Sequence, residues 1–292
     1  MALMPMELRR SVRLHGSMME KTMVDVLGPR LAAALVTLAL LTGPTAGDPQ
    51  TTGDLLEDAR IIVTSDKDDV RLWAHPPRIL VLHNEPAVVE VMRDIYQEVE
   101  EAVSSPFGDR FLGELIFASV PEGLGDGDAP MKIRMARGGP SGAEVRVALS
   151  PEMDLRTDIV VVVADRPTVA MLNGLWGVER KYTRRQMERA RGGCFYEANS
   201  LNGVKFGAYI AIATPVGRDH LRLCVREEFL QVLGPLQDAD GSPFFSFNNH
   251  LEASAEQESN DIALIRALYE SGAGPGGSPD VVIDYLETLS TE

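Results

Sequence analysis

Asp158 to Ala164 reads DIVVVVA, an apolar run broken only at its first residue. Four successive valines behind an isoleucine leave no polar face for water. Branching at Cβ stiffens each of them toward the extended conformation. Such a run fits a central strand buried on both sides, so the chain must build a sheet with cover above and below it. A chain of 292 residues with 45% hydrophobic side chains is large enough to do this.

Further strands fit around it. Arg78–His83 (RILVLH) is a short apolar run, and Gly207–Thr214 (GAYIAIAT) is another. Leu115–Val120 and Met131–Arg137 flank a turn-rich Gly123–Asp128 segment, and Val145–Leu149 alternates as a half-buried strand does. After Asn84-Glu85-Pro86, Val88, Met92, Ile95, Tyr96, Val99 and Val103 recur at helical spacing until Ser104-Ser105-Pro106. Thr168–Trp176, Leu221–Leu233, Ser259–Glu270 and Val281–Leu289 supply shorter helices, the second stopped by Gly234-Pro235. The order predicts an α+β fold: a mixed sheet with a long N-terminal helix and a C-terminal helical part. Residues 70–292 then form a single domain behind a polar lead-in over 48–69, with Gly272–Pro279 as a flexible connection inside it.

The first 47 residues have a different character. Leu31–Leu41 (LAAALVTLALL) follows Lys21 and Arg30 and precedes the small residues Thr42–Gly47. Charged flank, short apolar stretch and small-residue end describe a secretory signal peptide. The run is about half of the roughly 20 residues a bilayer requires, so no transmembrane segment is expected in the mature chain. Met18, Met19 and Met23 stand close before it as alternatives to Met1 as the translation start. The expected location is periplasmic or secreted. Cleavage after Gly47 leaves 23 basic and 40 acidic residues, a net charge of −17 against −15 for the whole chain. That acidity excludes nucleic acid as a main partner. An exported chain meets oxidising conditions, and its two cysteines, Cys194 and Cys224, are expected to form a disulfide, the alternative being two buried thiols.

The chemistry-bearing segment starts at Glu227. Glu227-Glu228-x-x-Gln231-x-x-Gly234-x-x-Gln237 follows the spacing of H-E-x-x-H-x-x-G-x-x-H, the metzincin peptidase pattern. There, two ligands at i and i+4 share a helix face, and glycine turns the chain so that a third returns to the zinc. Glu228 and Gly234 occupy the positions of the general base and the glycine. Glu227, Gln231 and Gln237 replace all three histidines. One carboxylate and two amides suit a hard, hydrated cation, so zinc is not expected there. This is a degenerate zincin-like motif.

Cys194, Cys224, Glu227-Glu228, Gln231, Gly234, Asp238, Asp240, Ser246-Phe247, Asp261, Leu268-Tyr269 and Pro275-Gly276 together resemble the bacterial family called domain of unknown function 2927. The resemblance covers about residues 190–277. It implies an envelope or secreted protein with no assigned activity. Some members are labelled putative lipoproteins, but no lipidation cysteine stands at this chain's cleavage point. Pro235 and Gln237 also depart from the expected Leu and Asn. The order of strand, long helix, strands, motif helix, glycine turn and Leu-Tyr helix is similar to that of matrixin-like metzincins.

Two readings follow. In the first, the chain is a non-peptidase relative of metzincins acting as a binding or structural component, with an envelope protein or polymer as partner. In the second, it is a hydrolase using Glu228, with Glu227, Gln231 and Gln237 around a non-zinc ion or ordered water. His220, four residues before Cys224, and His250 are further ligand candidates, and Asp238-Ala-Asp240-Gly reads as an Asp/Gly turn. Arg180, Lys181, Arg184, Arg185, Arg189 and Arg191 form a basic cluster, read as a solvated helix with Glu179 and Glu188 as neighbours, the alternative being a surface for anionic envelope polymers or an acidic partner. N-terminal sequencing of the exported protein is expected to begin at Asp48. A start within residues 1–30 would remove the signal peptide and, with it, the argument for export.

Overall fold

The computed structural model describes residues 52–64, 68–121, 134–137, 145–150, 153–177, 193–234, 242–244 and 254–290. The valine run is β6 (Ile159–Asp165), the middle strand of five. β1 (Ile79–His83) lies on one side of it and β2 (Leu115–Ser119) beyond, both parallel. On the other side runs parallel β8 (Val204–Thr214), then β7 (Cys194–Leu201), antiparallel at the edge. Val161 therefore stands between Val81 and Ile210. Alternation divides the run between two cores: Ile159, Val161 and Val163 face one, and Val160, Val162 and Ala164 face the other.

Helices cover both faces, giving a mixed α/β fold with a five-stranded sheet and, among the described residues, six helices. From the centre of the sheet, β1 leads through α2 (Ala87–Ala102) outward to β2, while β6 leads into α3 (Arg166–Trp176) and on toward the opposite edge. Right-handed crossovers moving in opposite directions place their helices on opposite faces. So α2 packs on the Ile159 side, with α1 (Thr52–Val63), α4 (Arg218–Leu233), α5 (Ala255–Glu270) and α6 (Pro279–Leu289). On the Val160 side lie α3 and Val147, the latter from a separate antiparallel sheet of β3 (Arg134–Arg137), β4 (Val145–Ser150) and β5 (Met153–Thr157).

Three features depart from the sequence reading. The sheet is mixed as expected, but its parallel crossovers bring helices to both faces instead of segregating them as an α+β fold does. Residues 52–63, taken as part of a polar lead-in, form α1 and bury Ala59, Ile62 and Val63. Residues 194–201, outside every strand expected from the sequence, form β7. Their polar Glu-Ala-Asn-Ser stretch suits an edge strand, where one side of the ladder is open.

Asp158, at the head of the valine run, is 1% exposed. Its carboxylate accepts from the backbone N–H of Arg78 at 2.8 Å and from Arg78 Nε at 3.2 Å. Thr157 Oγ1 donates to the Arg78 carbonyl at 2.9 Å. These contacts hold β1 in register with β6 before the apolar pairs begin. Asp158→Ala strands a buried N–H and a guanidinium, so a loss of about 1–3 kcal/mol is expected in urea unfolding. An unchanged midpoint would show that the register is set by the valines alone.

Candidate functional site: the motif helix and its closed end

β8 delivers the chain into α4, the helix that carries Glu227, Glu228 and Gln231. β7 and β8 are joined by Asn202-Gly203, both with positive φ (52° and 77°), a two-residue hairpin turn of the kind that favours Asn-Gly. Gly203 is required twice over: a Cβ there would stand 2.0 Å from the backbone N of Gly276. The hairpin sets Cys194 opposite α4, and a disulfide joins Cys194 to Cys224. Closing a loop with a sequence separation of 30 stabilises the fold by about 3–4 kcal/mol. His220, one turn before Cys224, places Nε2 3.6 Å from its sulfur.

α4 is enclosed over most of its surface. Ten of its 16 residues are buried, including Leu221, Val225, Phe229, Leu230, Val232 and Leu233. A helix covered this fully belongs to the core. Arg226 is 0% exposed, and it donates through Nη1 to Glu98 of α2 at 2.5 Å and through Nη2 to the Glu258 carbonyl of α5 at 2.9 Å. The guanidinium therefore ties the motif helix to both neighbours. Glu228 and Gln231 are 5% and 4% exposed, and Glu227 is half-buried. None of the three lacks a partner. Asp261, from the same family pattern, is fully enclosed on α5. Gln237, Asp238, Asp240, Ser246, Phe247, His250 and the cluster from Arg180 to Arg191 lie outside the described residues.

The C-terminal end of α4 carries the densest set of polar contacts. The last carbonyls of a helix have no partner within it, and burial makes that costly. Lys205 Nζ, from β8, donates to the carbonyls of Gln231 (3.3 Å) and Val232 (3.0 Å). Trp73 Nε1 donates to Val232 O at 3.0 Å. The Tyr269 hydroxyl donates to Leu233 O and accepts from the backbone N–H of Trp73. Gly234 follows, and a Cβ on it would approach Leu268 Cδ1 to 2.8 Å. Leu268 is 1% exposed and has little room to yield. The motif glycine and the Leu268-Tyr269 pair are thus two halves of one packed junction.

Burial pushes the Lys205 amine down to about 7, with Arg71 adding a smaller repulsion. Burial raises the Tyr269 phenol, which stays neutral and able to donate. Sequence reasoning passed over Lys205, Trp73 and Arg226. The available signal was a lone lysine among the apolar residues of VKFGAYIAIA and a tryptophan in a polar context.

Among the described residues, Cys194, His220 and Cys224 are the group whose metal-ligating atoms lie together, all within 4.8 Å of one another. In the oxidised protein the two sulfurs are bonded to each other. Glu227 and Gln231 stand at i and i+4 of one helix, but the third position of their pattern, Gln237, is not among the described residues. No helix among the described residues is long and apolar enough to cross a membrane.

The structure defines a mixed α/β protein whose buried signature helix is stapled by a disulfide at one end and capped by side chains at the other. The family model for proteins of unknown function called DUF2927 matches residues 131–288, and the chain belongs to that family. No curated protein and no solved structure matched the chain.

The Lys205 amine yields a prediction with a definite sign. Its folded pKa lies below the roughly 10.4 of a free lysine, so between about pH 7 and 10.5 the unfolded chain binds the extra proton. This group's contribution to stability therefore rises with pH across that window. The stability difference, wild type minus Lys205→Met, should climb by a few kcal/mol from pH 7 to pH 10. A flat difference would show that the amine titrates alike in both states.

Proposed function

We propose that this chain is an exported, non-peptidase relative of metzincins that serves the cell envelope as a binding or structural component. The observation that carries the proposal is the burial of Glu228 and Gln231 in a helix closed by its neighbours. In a metallopeptidase those positions face a metal and a water. Here they belong to a helix whose glycine and Leu-Tyr partner serve packing. The order of strand, helix, strands, motif helix, glycine and Leu-Tyr helix is similar to that of matrixin-like metzincins and supports common ancestry. Replacement of the three histidine positions by Glu227, Gln231 and Gln237 supports loss of the zinc chemistry. The disulfide and the signal-peptide pattern of residues 21–47 both fit an oxidising compartment.

A general base needs a water it can reach and a group that acidifies that water. Glu228 at 5% exposure is poorly placed for bulk water. The decisive assay is proteolysis by the exported protein, purified with its disulfide intact, on casein and on a mixed peptide library, with and without a strong chelator. No chelator-sensitive cleavage is expected, and Glu228→Gln is expected to leave every readout unchanged except stability. Turnover abolished by Glu228→Gln in a protein with unaltered circular dichroism would overturn the proposal. It would establish instead a hydrolase with Glu227, Gln231 and Gln237 around a hard ion.

A further inference from the structure

We infer that Cys194, Cys224 and His220 form a redox-gated metal site, which takes a thiolate-seeking cation such as Zn²⁺ when the disulfide is reduced. The site shares no residue with the Glu227–Gln237 pattern and does not depend on the function proposed above.

The geometry carries the inference. His220 and Cys224 stand at i and i+4 on α4, a spacing that puts two ligands on one helix face. Cys194 projects from β7 across from them, its Cα 6.0 Å from that of Cys224. A tetrahedral zinc with Zn–N of about 2.0 Å and Zn–S of about 2.3 Å sets a nitrogen and a sulfur about 3.5 Å apart. His220 Nε2 is already 3.6 Å from Cys224 Sγ. The same geometry sets two sulfurs about 3.8 Å apart. The sulfurs of a reduced pair can reach that separation by side-chain rotation, without moving β7 or α4. Cys224 is 2% exposed and Cys194 9%, while His220 is half-buried, so the site has a dry floor and an entry on the histidine side. Three protein ligands leave a fourth position for water or an incoming ligand.

The steps balance as follows. A dithiol reductant delivers two electrons and two protons to the Cys194–Cys224 bond, closing its own disulfide and leaving two thiols. Zn²⁺ then displaces both thiol protons and binds the neutral imidazole nitrogen. The metal bridges β7 and α4 where the covalent bond did, so one junction is held in either redox state.

The test uses the full chain, oxidised or reduced with a phosphine under anaerobic conditions, titrated with Zn²⁺ against a chromophoric chelator and with Co²⁺ as a spectroscopic probe. The reduced protein should bind one equivalent, show a thiolate-to-cobalt charge-transfer band in the near ultraviolet, and gain thermal stability with Zn²⁺. The oxidised protein should do none of these. His220→Ala should weaken Zn²⁺ binding by on the order of tenfold or more, and Cys194→Ser should abolish the charge-transfer band or reduce it by half. If reduction loosens the fold, Zn²⁺ should restore the near-ultraviolet circular dichroism. The inference is overturned if the reduced chain, folded or not, binds no stoichiometric Zn²⁺, or if binding is indifferent to His220→Ala.

Discussion

Everything around the signature helix depends on how its C-terminal carbonyls are satisfied. α4 ends inside the protein, where three successive carbonyls, those of Gln231, Val232 and Leu233, would otherwise lose water without replacement. The solution recruits three distant parts of the chain: Lys205 from β8, Trp73 from the segment before β1, and Tyr269 from α5. When protonated, the lysine places a positive charge at the negative end of the helix dipole. Burying an ammonium group is costly, and its lowered pKa records that cost. The carbonyls and the dipole are what make the position tolerable. Each contributor is fixed elsewhere: Leu72 exchanges backbone hydrogen bonds with Gly203 and Lys205, which anchors Trp73 to the β7–β8 turn. Losing one donor would therefore loosen a sheet edge and two helices together.

The same junction gives a physical meaning to residues that mark the family. Gly234 is where Leu268 needs space, and Tyr269 is where Leu233 needs a donor. In a metzincin the glycine is explained by the return of a third ligand. In this chain the Leu268 contact accounts for it without a metal. Arg226 plays the corresponding part in mid-helix, holding α2 and α5 through Glu98 and the Glu258 carbonyl. Its burial is tolerable only because the charge is paired and hydrogen-bonded.

Much of the framework was legible because its signals are local. The valine run could only be a central strand, and Val88, Met92, Ile95 and Val99 could only line one helix face. What escaped was set by tertiary contact. β7 has the composition of a loop and becomes a strand because Asn202-Gly203 folds it back on β8; that dipeptide was the available clue. α1 looked like a polar lead-in because three buried residues among charged neighbours make a weak pattern. The fold class shifted because crossover direction, not the list of elements, decides which face a helix takes. At the site, the pairing of Cys194 with Cys224 followed from compartment and count. Lys205 and Trp73 were invisible as cap donors because their acceptors are backbone atoms of residues 26 or more positions away.

The two ends of α4 are secured by chemistries that answer to different conditions. Near residues 220–224 the hold is sulfur, with an imidazole beside it, and it responds to thiol reductants. Near residues 231–234 it is a buried amine and two aromatic side chains, and it responds to protons. Between them Arg226 ties the helix to Glu98 and to the Glu258 carbonyl. A helix clamped at both ends and in the middle keeps Glu227, Glu228 and Gln231 in fixed positions. Catalysis at Glu228 would need access for water and substrate, which such enclosure opposes. The binding or structural role proposed above makes no such demand on these buried side chains.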